Sequence, residues 1–270
     1  MSIFDKFLRI RELGIFSIII IVIITASIID SRFLTIDSWR AVFLAIPLIL
    51  VMAMGQMMVI ICRHVDISIG SILAFAAITI GFVFIHYPET SLLIALLITA
   101  SVGTVMGLVN GIIVTRFNVH SIIVTLGTLS LYRGLVFIVS GGRQIDRNDI
   151  PVHIISFSQT SFLFSIPAIL ILSVIIVLIT HLIMRHSVLG REIYATGSNP
   201  EAAHLKGINV TKVTLFCFGV CGMLAGVAGL FYASRFGYVN PGVTGVGIEF
   251  IVIAGVIIGG TSITGGSGSV

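Results

Sequence analysis

Long intervals without a charged side chain are the feature that most restricts how this chain folds. No Asp, Glu, Lys or Arg occurs between Asp66 and Glu89, Glu89 and Arg116, Asp149 and Arg185, or Lys212 and Arg235. Each interval is long enough for the roughly 20 apolar residues that a membrane-spanning helix needs. The chain is 10% charged, whereas a soluble domain is about a quarter charged. A large soluble core of buried helices does not fit, because successive apolar runs follow one another with almost no amphipathic period.

The same runs predict an all-α fold, a polytopic transmembrane helical bundle with about eight spans, some of them broken helices. The predicted spans are residues 14–29, 41–61, 68–86, 91–115, 121–139, 165–184, 212–233 and 247–259. The first run follows a basic start, as a secretory signal peptide does. It is long, however, and no convincing small-residue cleavage site ends it before Asp30. We therefore expect it to be the first membrane anchor.

Basic residues in the connections predict the orientation, because cytoplasmic loops are enriched in Lys and Arg. A cytoplasmic N-terminus places nine of them on the inner side and five on the outer side. The inner residues are Lys6, Arg9, Arg11, Arg63, Arg116, Arg185, Arg191, Lys206 and Lys212. The outer residues are Arg32, Arg40, Arg143, Arg147 and Arg235. This excess predicts a cytoplasmic N-terminus. The longest outer connection, residues 140–164, mixes turn residues with a short apolar piece, so we expect it either to fold back on the outer surface or to be a solvated loop.

Two polar segments interrupt the apolar runs and predict helix breaks: "CRHVDISIGS" (62–71) and "GGTSITGGSGS" (259–269). The second has too many glycines and hydroxyls for a stable helix. Broken backbone at membrane depth is tolerated only where protein or water covers it. Asp66 and Ser68 are expected to cap the next helix, a role compatible with lining a pathway. The pathway or helix-break candidates are Asp66, Ser68, Gly70, Asn110, Gly259, Gly260, Thr261, Gly265 and Gly266.

The two breaks also indicate an internal repeat, because "DISIGS" (66–71) and "TGGSGS" (264–269) each follow a long apolar run. A second repeat unit would stop early at Val270, so we expect the chain to be a truncated product. Glycines spaced by four predict close helix approaches, at Gly103, Gly107 and Gly111 and at Gly222 and Gly226. The three cysteines, Cys62, Cys217 and Cys221, are expected to be small packing residues.

The segment "SNPEAAHLKG" (198–207) predicts a short helix with both ends marked. Ser198 or Asn199 is the expected N-cap, and Pro200 occupies the first helical position, where its missing amide does no harm. Lys206 lies in the negative last turn, and Gly207 supplies the left-handed residue that ends the helix. So short a helix is marginal alone in water. We expect it to lie either on the protein's own cytoplasmic face or on a cytoplasmic partner.

The wider segment "GREIYATGSNPEAAHLKGINV" (190–210) resembles the cytoplasmic loop of the ribose-type permeases of bacterial ATP-binding-cassette sugar importers. Further segments are similar to that family in kind and order: "VDISIGSILAF", "GLVNGIIVTRFNVHSIIVTLGTLSLYRGLVFIVSGGRQI", "GMLAGVAGLFYASRFGYVNP" and "GVIIGGTSITGGSGSV". Two departures stand out. The family usually has two glycines where this chain has Arg63-His64, and it continues with further spans beyond Val270.

The resemblance implies a single transmembrane permease domain over residues 1–270, incomplete at its C-terminus, with a cytoplasmic coupling loop at 185–211. In this class two permease subunits, identical or different, form the pathway for a sugar such as ribose, xylose, rhamnose or an autoinducer-2-like molecule. A periplasmic binding protein delivers the sugar, and two separate ATPase subunits bind and hydrolyse ATP. The implied coupling residues are Ser198, Asn199, Pro200, Glu201, Ala202, Ala203, Lys206, Gly207 and Ile208.

The same resemblance implies a multi-pass protein of the bacterial inner membrane, surrounded by lipid, that is not itself an enzyme. It implies no metal, no nucleic-acid partner and no cofactor of its own, since ATP is bound by the partner subunit. The sequence has no Walker-type glycine–lysine loop, which agrees with this expectation.

Two other classes stay open on the residues alone. An ion-coupled secondary transporter would use buried ionisable residues as a relay, and the candidates are Asp66, Arg133 and Glu249. An intramembrane serine protease would need a serine beside a base, and the candidates are Ser68, Ser130, Ser262, His64, His120 and His181. None of these forms a recognisable nucleophile–base motif.

Overall fold

The computed structural model describes residues 11–159, 161–163 and 166–270, and most of these residues are helical. The first elements are α1 (Arg11–Ile29), a 3-10 turn (Ser31–Leu34), α2 (Ile36–Ile61), α3 (Ile69–His86), α4 (Leu92–Phe117), α5 (Ser121–Ser140), a 3-10 turn (Arg147–Asp149) and α6 (Val152–Gln159). They are followed by β1 (Ser161–Leu163), β2 (Ile166–Pro167), α7 (Ala168–His186), α8 (Val188–Ser198), α9 (Pro200–Leu205), α10 (Val210–Phe236) and α11 (Ile248–Ile258).

Each of the eight predicted spans corresponds to a helix, which confirms the all-α class. Among the described residues, six helices are long and apolar enough to cross a membrane: α2 to α5, α7 and α10. The stretch Phe16–Ile29 of α1 and helix α11 are shorter apolar helices. The predicted start of the sixth span at residue 165 was early, because Ile166 and Pro167 pair with β1 in a small antiparallel hairpin and α7 begins only at Ala168.

The chain divides into two compact units, residues 1–45 and 46–270. In the first unit, Asp30 caps the 3-10 turn: its carboxylate accepts a hydrogen bond from the Arg32 amide at 2.9 Å and forms an ion pair with the Arg32 guanidinium at 3.0 Å. The apolar side chains along Phe16–Ile29 are largely exposed, as lipid-facing side chains are. Two basic residues of the predicted inner side, Lys6 and Arg9, lie outside the described residues.

Helices α4 and α10 form the closest helix contact in the second unit, and glycines make it possible. A side chain at Gly107 would meet the backbone of α10, with its Cβ 3.0 Å from the Gly222 Cα atom. Gly226 lies in the same way against Gly103, where a Cβ would be 3.1 Å from the Cα atom. The predicted close approach of these glycines is confirmed, and helices in lipid associate through such backbone packing.

Of the two alternatives for the connection 140–164, a solvated loop does not fit its described residues, since part of the segment folds back onto the protein. Within its described residues it contains helix α6, which packs against the C-terminal part of α10. The Ser158 hydroxyl donates a hydrogen bond to the Ser234 carbonyl at 2.9 Å, and Ile154 and Ile155 are buried. The apolar run "HIISF" is therefore a short amphipathic helix, and its buried side explains why this connection carries apolar residues.

Helices α2, α3 and α10 form the centre of the second unit, with their side chains in one buried cluster. The three cysteines lie in it and are buried, as expected for small packing residues. Cys62 and Cys217 bring two helices together, since their Sγ atoms are 3.4 Å apart. Cys221, one turn further along α10, has its Sγ atom 3.5 Å from the side-chain amide of Gln56.

Candidate functional site

The first predicted helix break is a Schellman motif at the end of α2. The Arg63 amide donates to the Ile60 carbonyl at 2.9 Å, and the His64 amide donates to the Val59 carbonyl at 3.0 Å. This pairing requires a left-handed residue just past the helix end, usually glycine. Arg63 holds that position with φ of 67°. The chain then continues in extended form to α3, which begins at Ile69.

Three of the predicted helix-break or pathway candidates, Asp66, Ser68 and Asn110, form a buried polar cluster after this break. The Asp66 carboxylate accepts from the Ser68 amide at 2.8 Å and from its hydroxyl at 2.7 Å. The Asn110 side-chain amide, on α4, donates to the same carboxylate at 3.3 Å and to the Ser68 hydroxyl at 2.8 Å. All three residues are fully buried. Asp66 thus fixes the turn before α3, although Ser68 rather than Asp66 is its N-cap residue.

Further polar groups complete the cluster, and the sequence analysis did not identify them. The Tyr132 hydroxyl, on α5, lies 3.2 Å from the Asn110 side-chain oxygen and donates to the Met106 carbonyl at 2.9 Å. The Gln56 amide, oriented to suit its neighbours, pairs with both the backbone amide and the carbonyl of Asp66 at 3.2 Å. A glutamine inside an apolar run was the available signal, because buried polar groups need partners.

Helix α5 holds the same extended segment from its other side. The Ser121 hydroxyl accepts from the Val65 amide at 3.1 Å, and the Thr125 hydroxyl lies 3.3 Å from the Val65 carbonyl. The half-buried ring of His64 packs against the ring of Phe218 with centroids 5.8 Å apart. Burial, together with the nearby His120, lowers the pKa of His64 to about 4. The first break is therefore held on both sides by hydrogen bonds to backbone amides and carbonyls that have no partner within a helix.

The second predicted break repeats this geometry at the end of α11. The Gly260 amide donates to the Ile257 carbonyl at 3.0 Å, and the Thr261 amide donates to the Val256 carbonyl at 3.2 Å. Gly260, with φ of 106°, takes the place that Arg63 holds in the first break. Gly259 is the C-cap residue of α11, and Thr261 is buried.

The nine pathway candidates fall into three places. Asp66, Ser68 and Asn110 form the buried cluster, and Gly70 packs against Gly245 and Glu249 just before and within α11. Gly259, Gly260 and Thr261 form the turn after α11. Gly265 and Gly266, with φ of 81° and 72°, lie against the end of α2.

The coupling loop contains the short helix predicted from the sequence, α9. The Asn199 side chain caps it by accepting from the Ala202 amide at 3.0 Å, and Pro200 is its first residue. It ends in a third Schellman motif, in which Gly207 has φ of 84° and the Ile208 amide donates to the Ala203 carbonyl at 3.1 Å. Both predicted caps are confirmed.

Exposure divides the coupling candidates. Ala203 is buried and Ile208 partly buried, whereas Ser198, Asn199, Glu201, Ala202, Lys206 and Gly207 are exposed. The segment before them was expected only to lead into α9, but it is itself a helix, α8 (Val188–Ser198). The Ser187 hydroxyl caps this helix by accepting a hydrogen bond from the Gly190 amide at 2.9 Å. The loop therefore packs one side of a helix pair on its own protein and leaves the other side exposed, including the apolar side chain of Leu205.

Comparison with known proteins identifies the family of this chain. The family model for the branched-chain amino acid transport system permease component matches residues 39–267. The chain belongs to this permease family. It is 34% identical over 243 residues to the autoinducer 2 import system permease protein LsrC of Yersinia pseudotuberculosis serotype O:3, a match that covers 90% of this chain and 68% of the relative. The same protein of Yersinia enterocolitica is also 34% identical over 243 residues, 66% of its length. No solved structure matches the chain significantly.

Family membership assigns the chain to the permease subunits of ATP-binding-cassette importers, multi-pass proteins of the bacterial inner membrane. Its relatives are named as transport permeases. The comparisons do not favour an ion-coupled transporter. The charges suggested for such a relay have separate structural tasks, since Asp66 fixes the first break while Arg133 donates to the Thr244 carbonyl at 2.7 Å.

Proposed function

We propose that this permease carries a small, sugar-like, polyhydroxylated molecule of the autoinducer-2 type across the inner membrane. The observation that carries the proposal is the 34% identity to autoinducer 2 import permeases along 90% of this chain. Ribose, xylose and rhamnose are the related sugars that a transport assay must compare.

Two topological features belong to the same proposal. The chain crosses the membrane about eight times, with α1 and α11 as spans in addition to the six long helices. Its N-terminus is cytoplasmic, which places the α8–α9 loop in the cytoplasm together with Arg185, Arg191, Lys206 and Lys212. The excess of basic residues in the connections on this side supports that orientation.

The loop 185–211 couples this subunit to a separate ATPase that binds the nucleotide. Helix α9 is closed by a cap at each end and presents exposed residues such as Glu201, Ala202 and Lys206. A short capped helix can move as a rigid body when the ATPase closes around ATP. A second permease subunit and a periplasmic binding protein complete the importer, as the family membership implies.

Uptake by cells tests the function. The chain is expressed with the ATPase and the binding protein of its importer, in a bacterial strain that has no uptake system for autoinducer-2. We expect ATP-dependent removal of autoinducer-2 from the medium, and competition by excess ribose measures the selectivity. No uptake of autoinducer-2 with uptake of another sugar would reject the proposed substrate.

The energy source is tested in the same cells. A protonophore collapses the proton gradient while glycolysis maintains ATP, and uptake should continue at the same rate. Loss of uptake under these conditions, with ATP measured as constant, would contradict ATP-driven transport and favour ion coupling. The purified chain alone should hydrolyse no ATP.

A further inference from the structure

The coupling loop is joined directly to both helix breaks by a set of residues that we call the junction: Ile61, Arg63, Gly197, Ser198 and Gly266. The Gly266 amide donates a hydrogen bond to the Ile61 carbonyl at 2.9 Å. The Arg63 guanidinium donates through Nη2 to the Ser198 carbonyl at 2.7 Å. Three segments that are far apart in the chain therefore meet at the end of α8.

The backbone of the junction is closely packed at Gly197 and Gly266. A Cβ atom on Gly197 would overlap the Ile61 carbonyl oxygen and lie 2.7 Å from the Gly266 amide nitrogen. A Cβ atom on Gly266 would lie 2.7 Å from the Cα atom of Ser198. Closely packed backbone responds to displacement by moving as a unit rather than by deforming continuously. A shift of Ser198 is therefore passed to the ends of both breaks.

Arg63 combines an unfavourable backbone with a specific side-chain contact. Its φ of 67° is in the left-handed region, where glycine is the favoured residue. A residue held in such a conformation persists only where its surroundings impose it, and such positions cluster at sites that switch or bind. Here the guanidinium reaches across to Ser198, the residue directly before the Asn199 cap of α9. The side chain thus links the start of the coupling helix to the first break.

The links continue beyond the junction in both directions. The Tyr194 hydroxyl, on α8, donates to the Gly268 carbonyl of the second break at 2.8 Å. In the first break, Asp66 follows Arg63 by three residues and belongs to the buried polar cluster. Beside the break, a cavity of about 430 Å³ is bordered by Pro200, the first residue of α9. The coupling helix therefore has both a connection to the breaks and room to move.

We propose that Arg63 is a positioning residue that transmits movement of α9 to the first helix break and so to the polar cluster around Asp66. This inference rests on the proposed function, in which α9 receives the movement of an ATPase. Arg63 neither contacts nucleotide nor provides the docking surface. Its removal uncouples ATP hydrolysis from transport while the subunits remain assembled.

The test measures autoinducer-2 uptake and ATP hydrolysis together in proteoliposomes that contain the complete importer. Arg63→Gly keeps the left-handed backbone and removes the side chain. We expect normal ATPase association and hydrolysis, with uptake per ATP reduced about 5-fold or more, since coupling between sites typically corresponds to about 5- to 150-fold. Arg63→Lys keeps a hydrogen-bond donor at the end of a long side chain, so it should retain part of the wild-type uptake per ATP hydrolysed.

Asn118→Gly is the matched control. Arg63 and Asn118 are the two non-glycine residues with positive φ in the described part of the chain, so the control relieves the same kind of strain without touching the junction. Asn118→Gly should keep the wild-type ratio of uptake to ATP hydrolysis. If Arg63→Gly does not accumulate in the membrane, Arg63→Asn replaces it, because Asn tolerates this backbone and is too short to reach Ser198.

The outcomes separate the inference from the proposed function. Wild-type importer that takes up no autoinducer-2 contradicts the proposed function. Wild-type uptake together with an unchanged uptake-to-hydrolysis ratio in Arg63→Gly, or in its replacement Arg63→Asn, overturns the role of Arg63 alone. A lowered ratio in Asn118→Gly as well would attribute the effect to backbone strain and would also overturn it.

Discussion

The carbonyl of Ile61 accepts a hydrogen bond from the amide of Gly266 at 2.9 Å, so the two helix breaks of this permease are in direct contact. The carbonyl lies at the end of α2, where no helical partner is available to it. Gly197 of the coupling loop packs against the same oxygen. The contact therefore joins the two breaks to each other and to the loop, and it underlies the first prediction.

Gly197→Ala should destabilise the junction, because the added methyl group overlaps the Ile61 carbonyl and has no flexible neighbour to displace. Such overpacking costs about 1–3 kcal/mol, and sometimes more. The measurement is the thermal unfolding temperature of the purified protein in detergent. Gly127→Ala in α5 is the control, since nothing lies within 4 Å of its Cβ position. An equal effect of both substitutions would contradict the packing described here.

Asn110→Ala should lower the free energy of unfolding by about 1–3 kcal/mol, since a buried carboxylate and hydroxyl each lose a donor. Denaturation of the detergent-solubilised protein measures the change. Thr115→Ala, on the same helix, removes a hydroxyl that bonds only to carbonyls of its own helix, and it should change stability by less than about 0.5 kcal/mol. An Asn110→Ala protein as stable as wild type would show that the cluster around Asp66 is not formed.

Mild oxidation should join Cys62 to Cys217, whose Sγ atoms are 3.4 Å apart. A disulfide requires a separation of about 2.05 Å, which a small side-chain movement supplies. The product is detected as a cross-linked peptide by mass spectrometry after treatment with diamide. Cys217→Ser should abolish it, whereas Cys221→Ser should leave it unchanged. Cross-linking of Cys217 to Cys221 instead would contradict the packing of α2 against α10.

Stability should fall as the pH falls from about 6.5 to about 4 because of His64. Burial holds the pKa of His64 at about 4, whereas an unfolded histidine titrates near 6.5. In this window the unfolded chain binds a proton that the folded chain does not, so acid favours unfolding. His64→Gln should reduce the dependence of the unfolding temperature on pH. His186→Gln, at an exposed position, should retain the wild-type profile, and the same slope in both variants would contradict the assignment.

Gly207→Val and Glu201→Lys should each weaken association with the ATPase while membrane insertion is unchanged. Valine is strained at a φ of 84° and disrupts the end of α9, and lysine places a positive charge in the positive first turn. Co-purification with the ATPase measures association, and the yield in the membrane fraction measures insertion. Gly141→Val, with φ of 59° at the end of α5, is the strain control and should leave association intact. Normal association of both loop variants would contradict the coupling role.

Local chemistry explains which features could be predicted from the sequence. The caps of α9 were predictable because Asn199, Pro200 and Gly207 act through neighbouring backbone only. The charge-free runs located the helices, since membrane spans must satisfy their backbone internally. The glycines at spacings of four predicted close helix approaches, because a small residue has the same effect wherever two membrane helices cross, but they did not predict that α4 and α10 are the two helices that meet.

Features that depend on distant segments were not predictable. The sequence around Gly197 gives no sign of its contact with Ile61, because that contact forms only when the fold brings the two breaks together. Tyr132 lies in α5 and Gln56 in α2, whereas Asp66 lies in the segment between α2 and α3. The spacing of these residues in the sequence does not predict that they meet. Helix α6 was not predicted as a helix, because the apolar residues on its buried side are explained only by their packing against α10.

Site-specific photo-crosslinking from Ala202 tests the central claim most directly, because this exposed residue lies in the middle of α9. A photoreactive amino acid replaces Ala202 in cells that express the complete importer, and the same replacement at Gly127 in α5 is the control. The account predicts an adduct between this permease and the ATPase subunit from position 202 and none from position 127. An irradiated, assembled importer that transports autoinducer-2 but yields no ATPase adduct from position 202 would contradict it.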